Sequence, residues 1–266
     1  MPVVRPPHPA RPPARAELGA FLRARREGLS PGQVGLPATG RRRTPGLRRE
    51  ELAVLAGVSV TWCTWLEQGR DVRASGQVLG ALAWALRLDG PERTYLFALA
   101  GDQHDRPVDE QVPRGLPGVV AALAPHPAYV TGGLLDVLAA NEAALELFAG
   151  PDGSTGPPTN LARWVFLQPT AREVLMDWEQ VARDLLARLR AATGRHRGDP
   201  GAAALVAELR SGSAQAEAWW LRYDVAAPHA GVKRLRHPRD GEISIVHTAL
   251  AVADHPDQTL VVYTPL

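Results

Sequence analysis

The sequence predicts two domains: an all-α bundle of five helices, then an α+β domain with an antiparallel sheet of about five strands. Three observations point there. The chain has 266 residues, more than one ordinary domain needs. Its apolar pattern changes across residues 102–117 (DQHDRPVDEQVPRGLP), a polar, proline-bearing stretch. Charge changes there too: residues 1–105 carry a net +5 and residues 106–266 a net −3. A basic first half suggests that this half alone meets a polyanion.

Composition removes several classes. No apolar run approaches the roughly 18 residues of a membrane-spanning helix. The opening MPVVRPPHPARPPAR has no apolar core, so a secretory signal is not expected and the cytoplasm is. One cysteine excludes an intramolecular disulfide framework and a Cys-rich zinc site.

Residues 1–16, rich in proline and arginine, predict a disordered tail. Residues 17–27 predict a helix with Leu18, Phe21, Leu22 and Arg25 on one face. A Gly- and Pro-rich loop over 30–46 carries Arg41, Arg42 and Arg43. Helical text over 47–101 is broken at Gly57, Gly69 and the Asp89-Gly90-Pro91 turn, which completes the bundle over 17–101. After a linker over 102–117, residues 118–266 form the second domain. Short strands are expected over 128–131 and 134–139 around Gly132-Gly133, and helices over 141–149, 161–167, 170–176, 178–191, 202–210 and 214–222. Strands over 231–237, 242–252 and 259–264 end the chain, with 237–241 and 254–257 as turns.

Within RREELAVLAGVSVTWCTWLEQ, residues 48–68, Gly57 supplies the unhindered residue that a tight turn between two helices needs. Ala53 permits close approach, and Leu52, Ala56, Val58, Cys63 and Leu66 fall where the helices bury one another. This is helix-turn-helix spacing. The text LAVLAGVS, then Leu66-Glu67-Gln68-Gly69-Arg70, resembles the XRE/Cro-like regulators. The resemblance implies that the second helix lies in a DNA major groove and directs Ser59, Thr61 and Trp62 to base edges, with Val60, Thr64 and Trp65 as further candidates. Trp62 is expected outward and Trp65 inward. Arg41, Arg42, Arg43, Arg48, Arg49 and Arg70 are candidates for phosphate contacts. Cys63 reads as a small buried hydrophobe.

The likeness continues in PAYVTGGLLDVLAANEAALELF, NLARWVFLQPTARE, DWEQVARDLLARLR, VKRLRHPRDGEI and QTLVVYTPL, which are similar to the MmyB-like subgroup of these regulators. That implies a PAS-like ligand-binding domain. Ala140-Asn141 departs from the Trp-Asn often found there. Phe148, Trp164, Phe166, Trp178, Trp219 and Trp220 are candidates to line a pocket, although aromatics at helical spacing are more often plain core. His247 shares a strand face with Ile243 and Ile245 and is the candidate polar contact. With no convergent charges expected, an effector would be an apolar small molecule such as a fatty acid. No metal site is expected, and G-x-S-x-G, P-loop, G-x-G-x-x-G and H-E-x-x-H motifs are absent, so neither is catalysis. The expected function is DNA-binding transcriptional regulation by a homodimer on a double-stranded operator, tuned by the effector. The alternative is a second domain serving only protein contacts or dimerisation.

Overall fold

The computed structural model describes residues 14–37, 46–101, 111–149, 158–196, 198–237 and 239–266. Residues 1–13 of the tail expected over 1–16, the arginines Arg41–Arg43, most of the expected linker (102–110) and the loop at 150–157 lie outside these residues, whereas the tail's last residues, 14–16, are not a disordered tail but open the first helix. The chain divides into two compact units, residues 1–103 and 104–266.

The first unit holds α1 (Ala14–Gly28), a short 3-10 turn (Pro31–Val34), α2 (Arg49–Ala56), α3 (Val60–Glu67), α4 (Gly76–Ala85) and α5 (Gly90–Ala100). Leu18, Phe21 and Leu22 repeat three and four apart on α1 and bury against α3 and α5. Phe21 meets Tyr95 edge-on at 5.1 Å, and the Tyr95 hydroxyl donates to Glu17 Oε1 at 2.7 Å. The α2–α3 turn closes on Gly57, whose φ of +65° is the left-handed conformation that glycine adopts without strain. Gly19 allows a close approach: a Cβ there would lie 2.6 Å from the carbonyl oxygens of Leu66 and Glu67. α1 therefore rests directly on the end of α3.

The second unit holds α6 (Leu116–Ala122), β1 (Ala128–Thr131), β2 (Val137–Ala140), α7 (Glu142–Phe148), α8 (Leu161–Leu167), α9 (Thr170–Val174), α10 (Trp178–Arg195), α11 (Pro200–Gly212), α12 (Ala214–Trp220), β3 (Gly231–His237), β4 (Gly241–Val252) and β5 (His255–Pro265). The strands form one antiparallel sheet in the order β2-β1-β5-β4-β3. Strand alternation separates two cores. Ala128, Val130 and Leu260 meet Val120 of α6 on one face. Tyr129, Leu235, Ile245, Val261 and Tyr263 join the larger core built with α7–α12. Asn141 ties the two together: its Oδ1 accepts from Ala128 N and Ala144 N at 3.0 Å, and its Nδ2 donates to the His126 carbonyl at 2.8 Å.

The structure corrects three further expectations. The linker's last residues begin α6, because Pro117 in a first helical turn starts a helix rather than breaking one. The strand expected from 134 starts at Val137, since the turn is longer: Gly132 N donates to Asp136 O, and Leu134 and Leu135 bury their side chains inside it. The turn expected over 254–257 is shorter. β5 starts at His255, and Asp254, at φ +63°, carries the reversal.

Candidate DNA interface and ligand site

α3 is capped by Ser59, whose Oγ accepts from Trp62 N at 3.1 Å. Its buried side comprises Cys63, Leu66 and Glu67. Successive residues rotate by about 100°, which places Thr61 and Trp65 opposite Cys63 and sets Trp62 beside Leu66. Accordingly Thr61 is exposed, Trp65, expected inward, is 37% exposed, and Trp62, expected outward, is half-buried. The Arg70 guanidinium lies 5.8 Å from the centre of the Trp65 ring. Thr64 Oγ1 donates back to Val60 O at 2.9 Å, leaving its hydroxyl only as an acceptor for a base. Burial, followed by the nearby Glu67 charge, pushes the Cys63 thiol up to about 11, which fits an inert core position.

Arg48 is exposed at the start of α2, where its backbone N–H donates to Glu51 at 2.7 Å. Arg49 belongs to a different structure. Its Nε donates to Glu67 Oε2 at 2.8 Å, while Arg26 grips the same carboxylate at 2.6 and 3.0 Å and donates to the Leu47 carbonyl at 2.7 Å. Arg23 adds a bond to the Glu67 carbonyl at 2.9 Å. Burial opposes the Glu67 charge, but the hydrogen bonds and charges of Arg26 and Arg49 prevail and hold its carboxyl below the usual range. This clamp joins α1, α2 and α3 behind the exposed α3 face. Its signal was the i, i+4, i+8 series Leu18, Leu22, Arg26, with Arg26 rather than Arg25 buried at its end.

In the second unit the expected pocket aromatics are packed. Tyr263, Tyr129, Phe148 and Trp164 form a row with centroid separations of 6.0, 5.3 and 5.2 Å. Phe166, Trp178 and Trp219 form another, and Trp178 Nε1 donates to Val165 O at 2.8 Å. Trp219 and Trp220 are half-buried under Arg183 and Arg190, whose guanidinium carbons lie 4.8 and 4.0 Å from the ring centres. His247 is buried, with Nδ1 2.7 Å from the Gly231 carbonyl. Burial, then the Lys233 charge, lowers its pKa to about 4, so it is neutral at pH 7 and Nδ1 carries the donated hydrogen.

Beside His247 lies what the sequence reading missed. Lys233, the lone lysine of the chain, pairs with Ile245 in the β3–β4 register and so faces the large core. Its Nζ is 5.9 Å from the centre of the Tyr263 ring, and the Tyr263 and Tyr129 hydroxyls are 3.3 Å apart. Arg188 of α10 faces the same group. Burial depresses the pKa of both cations, and that of Lys233, further lowered by Arg188, falls to about 8. Charges therefore do converge here, contrary to the expectation, because the register that turns Lys233 inward is set by strand pairing and not by local sequence. Among the described residues no group of three His, Cys, Asp or Glu side chains is placed to hold a metal, and no helix is long and apolar enough to cross a membrane.

Comparison with known proteins matches residues 112–266, more than half of the chain, to a family described as the MmyB-like transcription regulator ligand binding domain. Residues 17–96 match a helix-turn-helix domain. No curated protein matches the chain. Both matching families are regulatory, one DNA-binding and one ligand-binding.

Proposed function

The chain belongs to the MmyB-like transcription regulators, and from that premise we propose that it binds an operator sequence-specifically, as a homodimer in the cytoplasm, under control of a small effector held by a PAS-like second domain. The observation that carries the DNA half is the outward face of α3: Thr61 and Trp65 exposed, Arg70 beside them and Arg48 exposed at the start of α2. A threonine hydroxyl donates to or accepts from base edges, and an indole packs on thymine methyls. Arg48, Arg70 and the loop arginines Arg41–Arg43 supply phosphate contacts, whereas Arg49 is already engaged by Glu67. In a dimer the half-sites would lie about one helical turn apart.

The effector reading keeps the apolar body expected from Phe148, Trp164, Phe166, Trp178, Trp219 and Trp220, with a fatty acid as the working class. These rings pack against one another, so a ligand would enter by parting them. The competing reading, a domain for protein contacts or dimerisation, draws on Val232 and Leu250, which are 58% and 50% exposed on β3 and β4.

The test of the DNA half is an anisotropy titration of the full chain on fragments of its own promoter region across a salt series. Affinity falling steeply with salt but retained for one fragment supports the reading. No binding at low salt would overturn it.

A further inference from the structure

From Gly76 to Leu86 the chain reads GQVLGALAWAL, without a charged residue. A helix that is apolar on every side has no face suited to water, so each side calls for cover. In the first unit α4, packed on α2 and α5, buries Leu79, Leu82, Ala83 and Ala85. Trp84, in the midst of them, stays 74% exposed, although an indole is among the largest apolar groups a chain can bury.

Beside Trp84 lies a groove of about 510 Å³. Val34 of the 3-10 turn, Leu55 of α2, and Leu88 give it an apolar lining. Arg87 and Arg93, both exposed, also line it, and among the described residues no carboxylate does. Neither guanidinium makes a hydrogen bond or ion pair among the described residues; that of Arg93 lies 5.8 Å from the centre of the Phe97 ring. None of the lining residues belongs to α3, so the groove is separate from the face proposed for DNA.

The lining decides between occupants. Phosphates of a nucleic acid answer the arginines and leave Val34, Leu55, Leu88 and the indole in water. A second copy of the chain, set groove to groove, meets Arg87 and Arg93 with the same two cations, and like charges at an interface are costly. A groove of this size also takes up only a few side chains, whereas a stable dimer needs roughly 800 Å² on each partner. An acidic amphipathic helix satisfies both halves. Its apolar side chains, three and four apart, fill a groove, and its flanking carboxylates pair with guanidinium groups. Tryptophan and arginine are the residues on which binding energy at such contacts concentrates.

We propose that this groove docks an acidic amphipathic helix of a partner protein, its apolar residues against Trp84, Leu55 and Leu88 and its carboxylates on Arg87 and Arg93. The first unit then carries a protein-docking surface that uses none of the residues proposed for DNA.

The experiment titrates fluorescein-labelled helical peptides onto the full-length protein by anisotropy. One peptide has leucines three and four apart on one face and glutamates elsewhere, and its counterpart has glutamine for every glutamate. Companion pairs carry phenylalanine or tryptophan at the central leucine. The variants are Trp84→Ala and the double variant Arg87→Gln with Arg93→Gln, checked for folding by circular dichroism and a cooperative melt. Promoter-fragment affinity and sedimentation are measured alongside.

The expected result is at least one acidic peptide bound about tenfold or more tighter than its glutamine counterpart. The arginine variant should lose that preference, and Trp84→Ala should weaken both peptides by about tenfold or more. No binding of any acidic peptide, equal binding of a pair, or a preference kept by the arginine variant overturns the proposal. Promoter affinity that falls in the arginine variant assigns Arg87 and Arg93 to phosphates, which overturns the proposal and leaves the DNA reading standing. A dimer that turns monomeric in Trp84→Ala assigns the groove to a second copy and overturns it as well.

Discussion

Each unit sinks positive charge into its interior, and the two do so in opposite ways. In the first unit Arg26 and Glu67 are 4% exposed and fully answered: two guanidinium bonds from Arg26 and one from Arg49 fill the carboxylate. In the second, Arg188 and Lys233 share the influence of Asp184 and make no close pair among the described residues. The difference teaches where rigidity and response reside. A saturated cluster has one low-energy arrangement and holds α1, α2 and α3 as a fixed frame for the outward face of α3. An unsaturated cluster is a standing cost to the folded second unit.

Breaking the first cluster should give the largest effect. Glu67→Ala leaves buried Arg26 with only the half-exposed Glu27 carboxylate, 3.1 Å away, as counter-charge and should destabilise the first unit by roughly 3 kcal/mol, read by residue-resolved hydrogen exchange or denaturant melts. The mirror experiment has the opposite sign. Lys233→Met should stabilise the ligand-free second unit by roughly 1–3 kcal/mol, because it removes a charge that burial disfavours. A destabilised Lys233→Met would mean that the lysine is answered by the protein itself.

Acid sharpens the contrast. Glu67 has a folded pKa below the usual 4.5 for glutamate, so its contribution is present above pH 4.5 and is lost only as pH falls through that lowered value. His247 is lowered from 6.5 to about 4, so unfolded chains take up its proton first and the second unit loses stability as pH falls from 6.5 towards 4. The second unit should weaken at milder acidity, visible as earlier loss of amide protection in the sheet than in the helical bundle. Lys233, lowered from 10.5 to about 8, works at the other end: raising pH from 8 to 10.5 should restore stability to the ligand-free sheet.

The smallest effects belong to the exposed surface. Thr61→Ala should cost about 1 kcal/mol of operator discrimination with little change in folding. Arg70→Ala should weaken all sequences alike and reduce the salt slope by about one. An Arg70→Ala variant with an unchanged slope would remove it from the phosphate contacts.

The fold was legible wherever local periodicity determines structure. Leu161–Leu167, Ala128–Thr131 and Gly231–His237 stand where the apolar pattern put them. Leu52, Ala56, Cys63 and Leu66 bury as helix-turn-helix spacing requires. α6 was missed because Leu116-Pro117-Gly118 carries breaker residues whose helical use depends on position. The sites were less legible, since their partners are distant in sequence. Nothing near Glu67 announces Arg26, 41 residues away. Nothing near Lys233 announces Arg188 or Tyr129; only β3–β4 pairing and the packing of α10 bring them together. Trp62 and Trp65 could be sorted only once the buried side of α3 was fixed by α1 and α2.

The most direct test joins the two halves: operator affinity of the full-length protein, measured with and without saturating dodecanoate, a fatty acid of the class proposed for the second domain. Dodecanoate should change DNA affinity by a factor of about 5 or more in one direction. An affinity for DNA indifferent to dodecanoate, in a protein shown to bind both, would contradict it.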